Sequence, residues 1–214
     1  TNTRYFLKKA KDANKDQSYF LYMMPQSMLA RTLFPLGGFT KDKIREMAKD
    51  FGFKNANRPD SQEICFVSQH SYRDYVKNNA NQEVDTPGDI VLTDGTVVGQ
   101  HQGIYQYTIG QRRGLNISHS TPLYVHYIDA TNNQVVVGGK EELKTSVVKL
   151  KQCSLIDSSQ SLVNRSFDIK LRYRMSPKRA RVIAQSNDTL TLQLKTTESF
   201  ITPGQSCVLY KKDH

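Results

Sequence analysis

The chain has 214 residues, 37% of them hydrophobic, with 30 Lys and Arg against 20 Asp and Glu and a net charge of +10. That length gives one or two domains with a sizeable core; no apolar run approaches a membrane span, and the surplus of cations points to a polyanionic partner. Three widely spaced cysteines, Cys65, Cys153 and Cys207, with no C-x-x-C pair, argue against a disulfide framework or a zinc site and fit a reducing compartment.

The chain opens on Thr1 rather than Met and shows no signal peptide, so a fragment of a longer protein is expected. Basic residues Arg4, Lys8, Lys9 and Lys11 lead into Asn14-Lys15-Asp16-Gln17-Ser18, five polar residues before apolar Tyr19-Phe20-Leu21-Tyr22. This reads as a loop feeding a buried segment, with Asp16 or Ser18 as a candidate cap. A short helix is expected between Pro25 and Leu33, closed by Pro35-Leu36-Gly37-Gly38. Thr40 to Phe51 is the clearest helix: Thr40 caps it, Asp42 sits in the first turn, and Ile44, Met47, Ala48 and Phe51 share one face. Gly52 then suits the left-handed position that ends a helix.

Asn57-Arg58-Pro59 has no period and reads as loop. After it, Asp60-Ser61-Gln62-Glu63-Ile64-Cys65-Phe66 presents a single thiol between two apolar side chains. Cys65 is a candidate nucleophile, or else a small core residue. Asp60 and Glu63 disfavour its thiolate by like charge, so activation is expected from elsewhere, with Arg58 one source.

Ser71 to Lys77 reads as one or two helical turns and Asn78 to Pro87 as a polar connection, where the first domain boundary is expected. Gly88 to Gly99 is a hairpin turned at Asp94-Gly95. His101 follows it and is read as a hydrogen-bonded structural residue. Gly110-Gln111-Arg112-Arg113-Gly114 offers two guanidinium groups for phosphate, or is a solvated turn. Leu123 to Ile128 and Gln134 to Val137 form a second hairpin.

From Val147 the pattern is all-β. Phe167, Ile169, Leu171 and Tyr173 alternate with polar residues, placing Lys170, Arg172 and Arg174 on one face of a strand. Ala180, Val182 and Ala184, then Leu190, Leu192 and Leu194, continue the alternation, as in a small antiparallel barrel whose core includes Cys153 and Cys207. Lys170, Arg172, Arg174, Lys178, Arg179 and Arg181 have no acid among them, which favours an RNA-backbone surface over a merely solvated face.

Five motifs stand in order along the chain. They are Asn14 to Leu21, Asp60-Ser-x-x-Ile-Cys-Phe66, His101-Gln-Gly103, Tyr107-Thr-Ile-Gly-Gln-Arg-Arg-Gly-Leu115 and Thr202-Pro-Gly-Gln205. With them the sequence resembles the tRNA-specific 2-thiouridylases over about Asp12 to Tyr210. The resemblance implies an α+β chain in three parts: 1–70 as the end of an α/β catalytic domain carrying the cysteine loop, 71–144 as a small mixed central domain, and 145–214 as an antiparallel β-barrel. It implies a cytoplasmic sulfurtransferase that moves persulfide sulfur to C2 of the wobble uridine after ATP has adenylated its oxygen. Cys65 would carry the persulfide and form a disulfide with a second cysteine afterwards. Lys15, Asp16, Gln17, Arg172, Tyr173 and Gln205 would contact tRNA, with Lys, Glu and Gln acceptors as substrates. A cysteine desulfurase or other sulfur-donor protein would be the further partner.

The family's Ser-Gly-Gly-x-Asp-Ser nucleotide loop does not occur in this sequence. ATP and magnesium are therefore expected on a preceding segment, and this chain by itself is expected to be inactive. The alternative is a non-catalytic RNA-binding module, or a barrel like the second domain of translation factors.

Overall fold

The structure is a computed structural model describing residues 3–59, 79–80, 85–156 and 160–214. The cysteine loop around Cys65 and the helical turns expected at Ser71 to Lys77 lie outside the described residues. The chain divides into two compact units, one of Thr1–Asp60, Ser146–Thr196 and Gln205–His214, the other of Ser61–Thr145 and Thr197–Gly204.

Among the described residues, two α-helices belong to the first unit. Helix α1 (Gln26–Leu29) is a single turn behind Pro25. Helix α2 (Lys41–Asp50) starts where sequence places it: Thr40 Oγ1 accepts from Lys43 N at 3.4 Å, and Asp42 lies in the first turn. A second acceptor steadies the start, since Lys41 N donates to Asp12 Oδ2 at 2.9 Å. Gly52, at φ +71°, lets the chain leave the helix. No residue of α2 is buried; Ile44, Met47 and Ala48 are half-covered.

The second unit is built on a four-stranded sheet of β1 (Gly88–Leu92), β2 (Val97–His101), β3 (Tyr124–Asp129) and β4 (Gln134–Gly138), in the order β2-β1-β4-β3. Both hairpins expected from sequence form, and β1 then runs parallel to β4, pairing Ile90 with Val135 and Leu92 with Val137. The first turn has one residue more than the Asp94-Gly95 signal implied. Leu92 O accepts from Gly95 N and Leu92 N donates to Thr96 O, so three residues, Thr93, Asp94 and Gly95, lie between the bonded Leu92 and Thr96, with Gly95 at φ +88°. Ile90, Leu115, Leu123, Val125, Val135 and Val137 form the core of this unit.

The first unit holds, but for the end residues Thr145, Thr197 and Glu198, a sheet of β5 (Thr145–Leu150), β6 (Ser166–Lys170), β7 (Lys178–Ser186), β8 (Thr189–Glu198) and β9 (Val208–Tyr210) in the order β5-β8-β7-β6-β9. The pairs β6–β7, β6–β9 and β7–β8 are antiparallel. Ile169, Ala180, Val182, Leu190, Leu192 and Leu194 point inward as the alternation requires.

Two details differ from the alternating pattern. The strand expected to carry Lys170, Arg172 and Arg174 on one face stops at Lys170, and the chain turns, with Met175 N donating to Arg172 O at 3.2 Å. Arg172 and Arg174 are therefore loop residues. Ala184 is exposed rather than inward because β7 has a bulge: Val182 pairs with Leu192, but Ala184, not Ile183, pairs with Thr191. The extra residue reverses the parity, leaving Ile183 45% exposed.

Candidate nucleic-acid interface

The charge of the chain is divided unequally. The first unit holds 24 of the 30 Lys and Arg and 10 of the 20 acids, a balance of +14; the second holds 6 and 10, a balance of −4. Any polyanion drawn by net charge is drawn to the first unit.

Within that unit the polar run Asn14 to Ser18 folds around Asp16. This carboxylate is 9% exposed; it accepts from Ala10 N at 3.1 Å, Ser18 N at 3.1 Å and Ser18 Oγ at 2.9 Å. Ser18 Oγ lies 3.2 Å from the Tyr210 hydroxyl, 192 positions away, so the brace reaches β9. A buried carboxylate is tolerable only when donors surround it as they do here. Asp16 thus faces the protein interior, and its neighbours Lys15 and Gln17 are exposed on either side.

A 3-10 turn, Ser18–Phe20, follows. It places Tyr19 inside, 7% exposed, and Phe20 outside, 56% exposed. The whole run Tyr19 to Tyr22 was expected to be buried; in a tight turn successive side chains leave in different directions, and Phe20 takes the outer one. The Tyr19 hydroxyl donates to Ser206 O at 2.7 Å, and Ser206 Oγ donates to the Tyr22 hydroxyl at 2.9 Å. Gln205, the residue before Ser206, is exposed. Tyr173 closes the group, its ring centroid 6.0 Å from Tyr19 and 4.5 Å from Phe20, with Lys170 Nζ 5.5 Å from the Tyr173 centroid.

The fold thereby brings three remote stretches to one aromatic cluster of Tyr19, Val208 and Tyr210 with Tyr22 and Tyr173 against it. Lys15, Gln17, Arg172 and Gln205 are exposed on these stretches, Tyr173 is half-buried, and Asp16 is internal. Arg172 has no carboxylate partner among the described residues, whereas Arg179 pairs with Asp168 at 3.3 Å across β6 and β7. Arg181 donates to Asn164 Oδ1 at 3.0 Å. Tyr19 and Tyr210 are both held above the usual phenol range, in each case chiefly by burial.

The two described cysteines are free thiols beside this sheet. Burial pushes the Cys207 thiol up to about 12, with nearby Cys153 adding to the effect, and burial also raises Cys153. Neither supplies a thiolate at neutral pH. Cys65, the expected sulfur carrier, lies outside the described residues. Among the described residues no group of three or more His, Cys, Asp or Glu could hold a metal ion, and no helix is long and apolar enough to cross a membrane.

In the second unit His101 is 2% exposed, with Nε2 3.1 Å from Asn133 O and the ring edge-on to Tyr107 at 5.8 Å. A carbonyl only accepts, so Nε2 is the donor in this bond, while Nδ1 has no partner among the described residues. Its contacts are those of a packing residue. The Gly110 to Gly114 loop is clamped to β3, Gly110 N donating to Val125 O at 2.7 Å and Val125 N to Gln111 O at 2.9 Å. Gly110 sits at φ +83° against the Phe200 ring, where a side chain would collide. Arg112 and Arg113 are exposed on this fixed loop with no acid partner among the described residues.

Three family models tile the chain: the tRNA methyl transferase HUP domain over 1–69, the tRNA methyl transferase PRC-barrel domain over 73–139 and the Aminomethyltransferase beta-barrel domain over 145–214. Curated relatives named tRNA-specific 2-thiouridylase MnmA match along its length. That of Halothermothrix orenii is 38% identical over 209 residues, that of Synechococcus sp. (strain JA-3-3Ab) 41% over 211, and that of Chlorobium chlorochromatii 42% over 217. Each alignment covers 98% of this chain and 58%, 56% and 59% of the relative, so the chain spans a little over half their length.

Proposed function

Since the chain belongs to the tRNA-specific 2-thiouridylase family, we propose that it serves the replacement of oxygen by sulfur at C2 of a wobble uridine in tRNA. In this reading it contributes the sulfur-carrying cysteine and much of the tRNA-binding surface. The observation that carries the binding half is the gathering of exposed Lys15, Gln17, Arg172 and Gln205 around one aromatic cluster in the unit with a charge balance of +14. Cations place the phosphate backbone and aromatic rings receive bases.

For the chemistry, Cys65 takes sulfur from a donor such as a cysteine desulfurase and becomes a persulfide. The terminal sulfur attacks C2 of a uridine whose oxygen ATP has already converted to a leaving group; that oxygen departs with AMP, and a second thiol releases the product by forming a disulfide with Cys65. The raised thiols of Cys153 and Cys207 make neither of them a good carrier, which supports the choice of Cys65. No residue of this chain matches an ATP phosphate loop or forms a described metal cluster, so none is assigned to ATP or magnesium. We read 1–70 as catalytic-domain sequence, 71–144 as the central domain and 145–214 as the C-terminal β-domain, whose described strands form an open five-stranded sheet with β5 and β9 at its edges rather than the closed barrel expected from sequence. Alone, this chain binds tRNA of the Lys, Glu and Gln acceptors in the cytoplasm and leaves it unmodified.

Nucleoside analysis of tRNA from cells carrying the full-length protein with Cys65→Ser tests this. Loss of 2-thiouridine with tRNA binding retained is expected. Normal 2-thiouridine in that strain would leave the chain a non-catalytic RNA-binding module.

A further inference from the structure

Phe20 is one of several exposed phenylalanines, with Phe6, Phe51 and Phe53, but it stands within the aromatic cluster of the first unit. It is 56% exposed, yet it is held on two sides, by Tyr173 at 4.5 Å with the rings inclined at 40° and by Tyr19 at 5.4 Å edge-on. Leaving a phenylalanine half in water forgoes stabilisation that burial would give, and the fold does so while burying the adjacent Tyr19. The backbone that carries the ring is anchored: Phe20 N donates to Gln17 O at 3.0 Å, and the adjacent Tyr19 is tied to Ser206 O at 2.7 Å. Cations flank the same spot, Lys170 over the Tyr173 ring and Arg172 exposed one residue before it. An outward aromatic ring on an anchored turn, with cations beside it, is what receives an unpaired nucleobase: the ring stacks on the base and the cations hold the flanking phosphates.

We propose that the Phe20–Tyr173 pair is a stacking platform for one unpaired base of the bound RNA. This rests on the reading of the first unit as an RNA surface and adds a contact with the base rather than with phosphate. The site takes any base, because every base has a π-face, and it requires that the base be out of a duplex.

The chain contains no tryptophan, so a Phe20→Trp variant reports on this position alone. Its emission is expected to be quenched at saturating tRNA and unchanged in a blunt-ended RNA duplex that binds through phosphates only. Phe20→Ala is expected to weaken tRNA binding about tenfold while keeping the dependence on salt, since no phosphate contact is lost. If the unaltered chain binds tRNA, but Phe20→Trp emission does not respond and Phe20→Ala binds normally, the platform is wrong and the exposed ring belongs to a protein contact. If the unaltered chain does not bind tRNA, the RNA-surface reading itself fails.

Discussion

The phenol of Tyr19 donates to the backbone carbonyl of Ser206 at 2.7 Å, tying a turn near the start of the chain to the segment that carries Gln205 near its end. Ser206 in turn donates through its side chain to Tyr22 at 2.9 Å. These two bonds, together with the Ser18–Tyr210 contact, hold the stretch of Lys15 and Gln17 against that of Gln205. Tyr19→Phe is expected to cost about 1 kcal/mol or somewhat more in denaturant unfolding, since it removes one donor and leaves a part-buried carbonyl unpaired. It should also weaken tRNA binding, even though Tyr19 itself touches no RNA in this account.

Asp16 makes the stronger test of the internal brace. Asp16→Asn keeps the size but replaces one acceptor oxygen with a donor, against three donors now served. A loss of about 1–3 kcal/mol in chemical unfolding is expected. Unchanged stability with weakened tRNA binding would instead place Asp16 at the RNA.

Lys15 and Arg172 are expected to act through phosphate. Lys15→Ala or Arg172→Ala should weaken tRNA binding and lower the slope of log affinity against log salt by about 1 each. Arg179→Ala should change that slope less, because Asp168 already neutralises it. A change in unfolding midpoint with no change in slope would make Lys15 or Arg172 structural.

Alkaline pH should destabilise the first unit through Cys207. Its thiol is pushed up from 9.0 to about 12 by burial, so the folded state keeps a proton that the unfolded state releases. The stabilisation is full below pH 9.0 and is lost as pH rises towards about 12. Unfolding midpoints between pH 8 and 11 should fall, and the fall should be shallower in Cys207→Ala. Cys153, Tyr19 and Tyr210, all raised chiefly by burial, contribute to the slope that remains.

Much of this was legible in the sequence because local rules set it. Thr40 and Gly52 mark the ends of α2, the Gly88 to Gly99 and Leu123 to Val137 hairpins carry alternation and turn residues, and the leucines of β8 alternate without interruption. What failed depended on single-residue shifts. The bulge at Ile183 is invisible to a period-two count, and it turned Ala184 outward. The end of β6 at Lys170 separated Arg172 and Arg174 from the strand face assigned to them. The meeting of Ser18 with Tyr210, 192 positions apart, is tertiary and no local pattern encodes it. The partition of charge was present in the composition but appeared only once the units were known. Phe20 was misplaced because an apolar run of four reads as buried unless the 3-10 turn inside it is seen.

The most direct test of the sulfur-carrier claim is mass spectrometry of the full-length protein after incubation with a cysteine desulfurase and cysteine. A mass increase of about one sulfur atom, absent in Cys65→Ser, is the expected result, because the proposed attack requires a persulfide on that residue. Sulfur that stays on the Cys65→Ser protein, or none on the unaltered one with tRNA binding intact, would contradict the role given to Cys65.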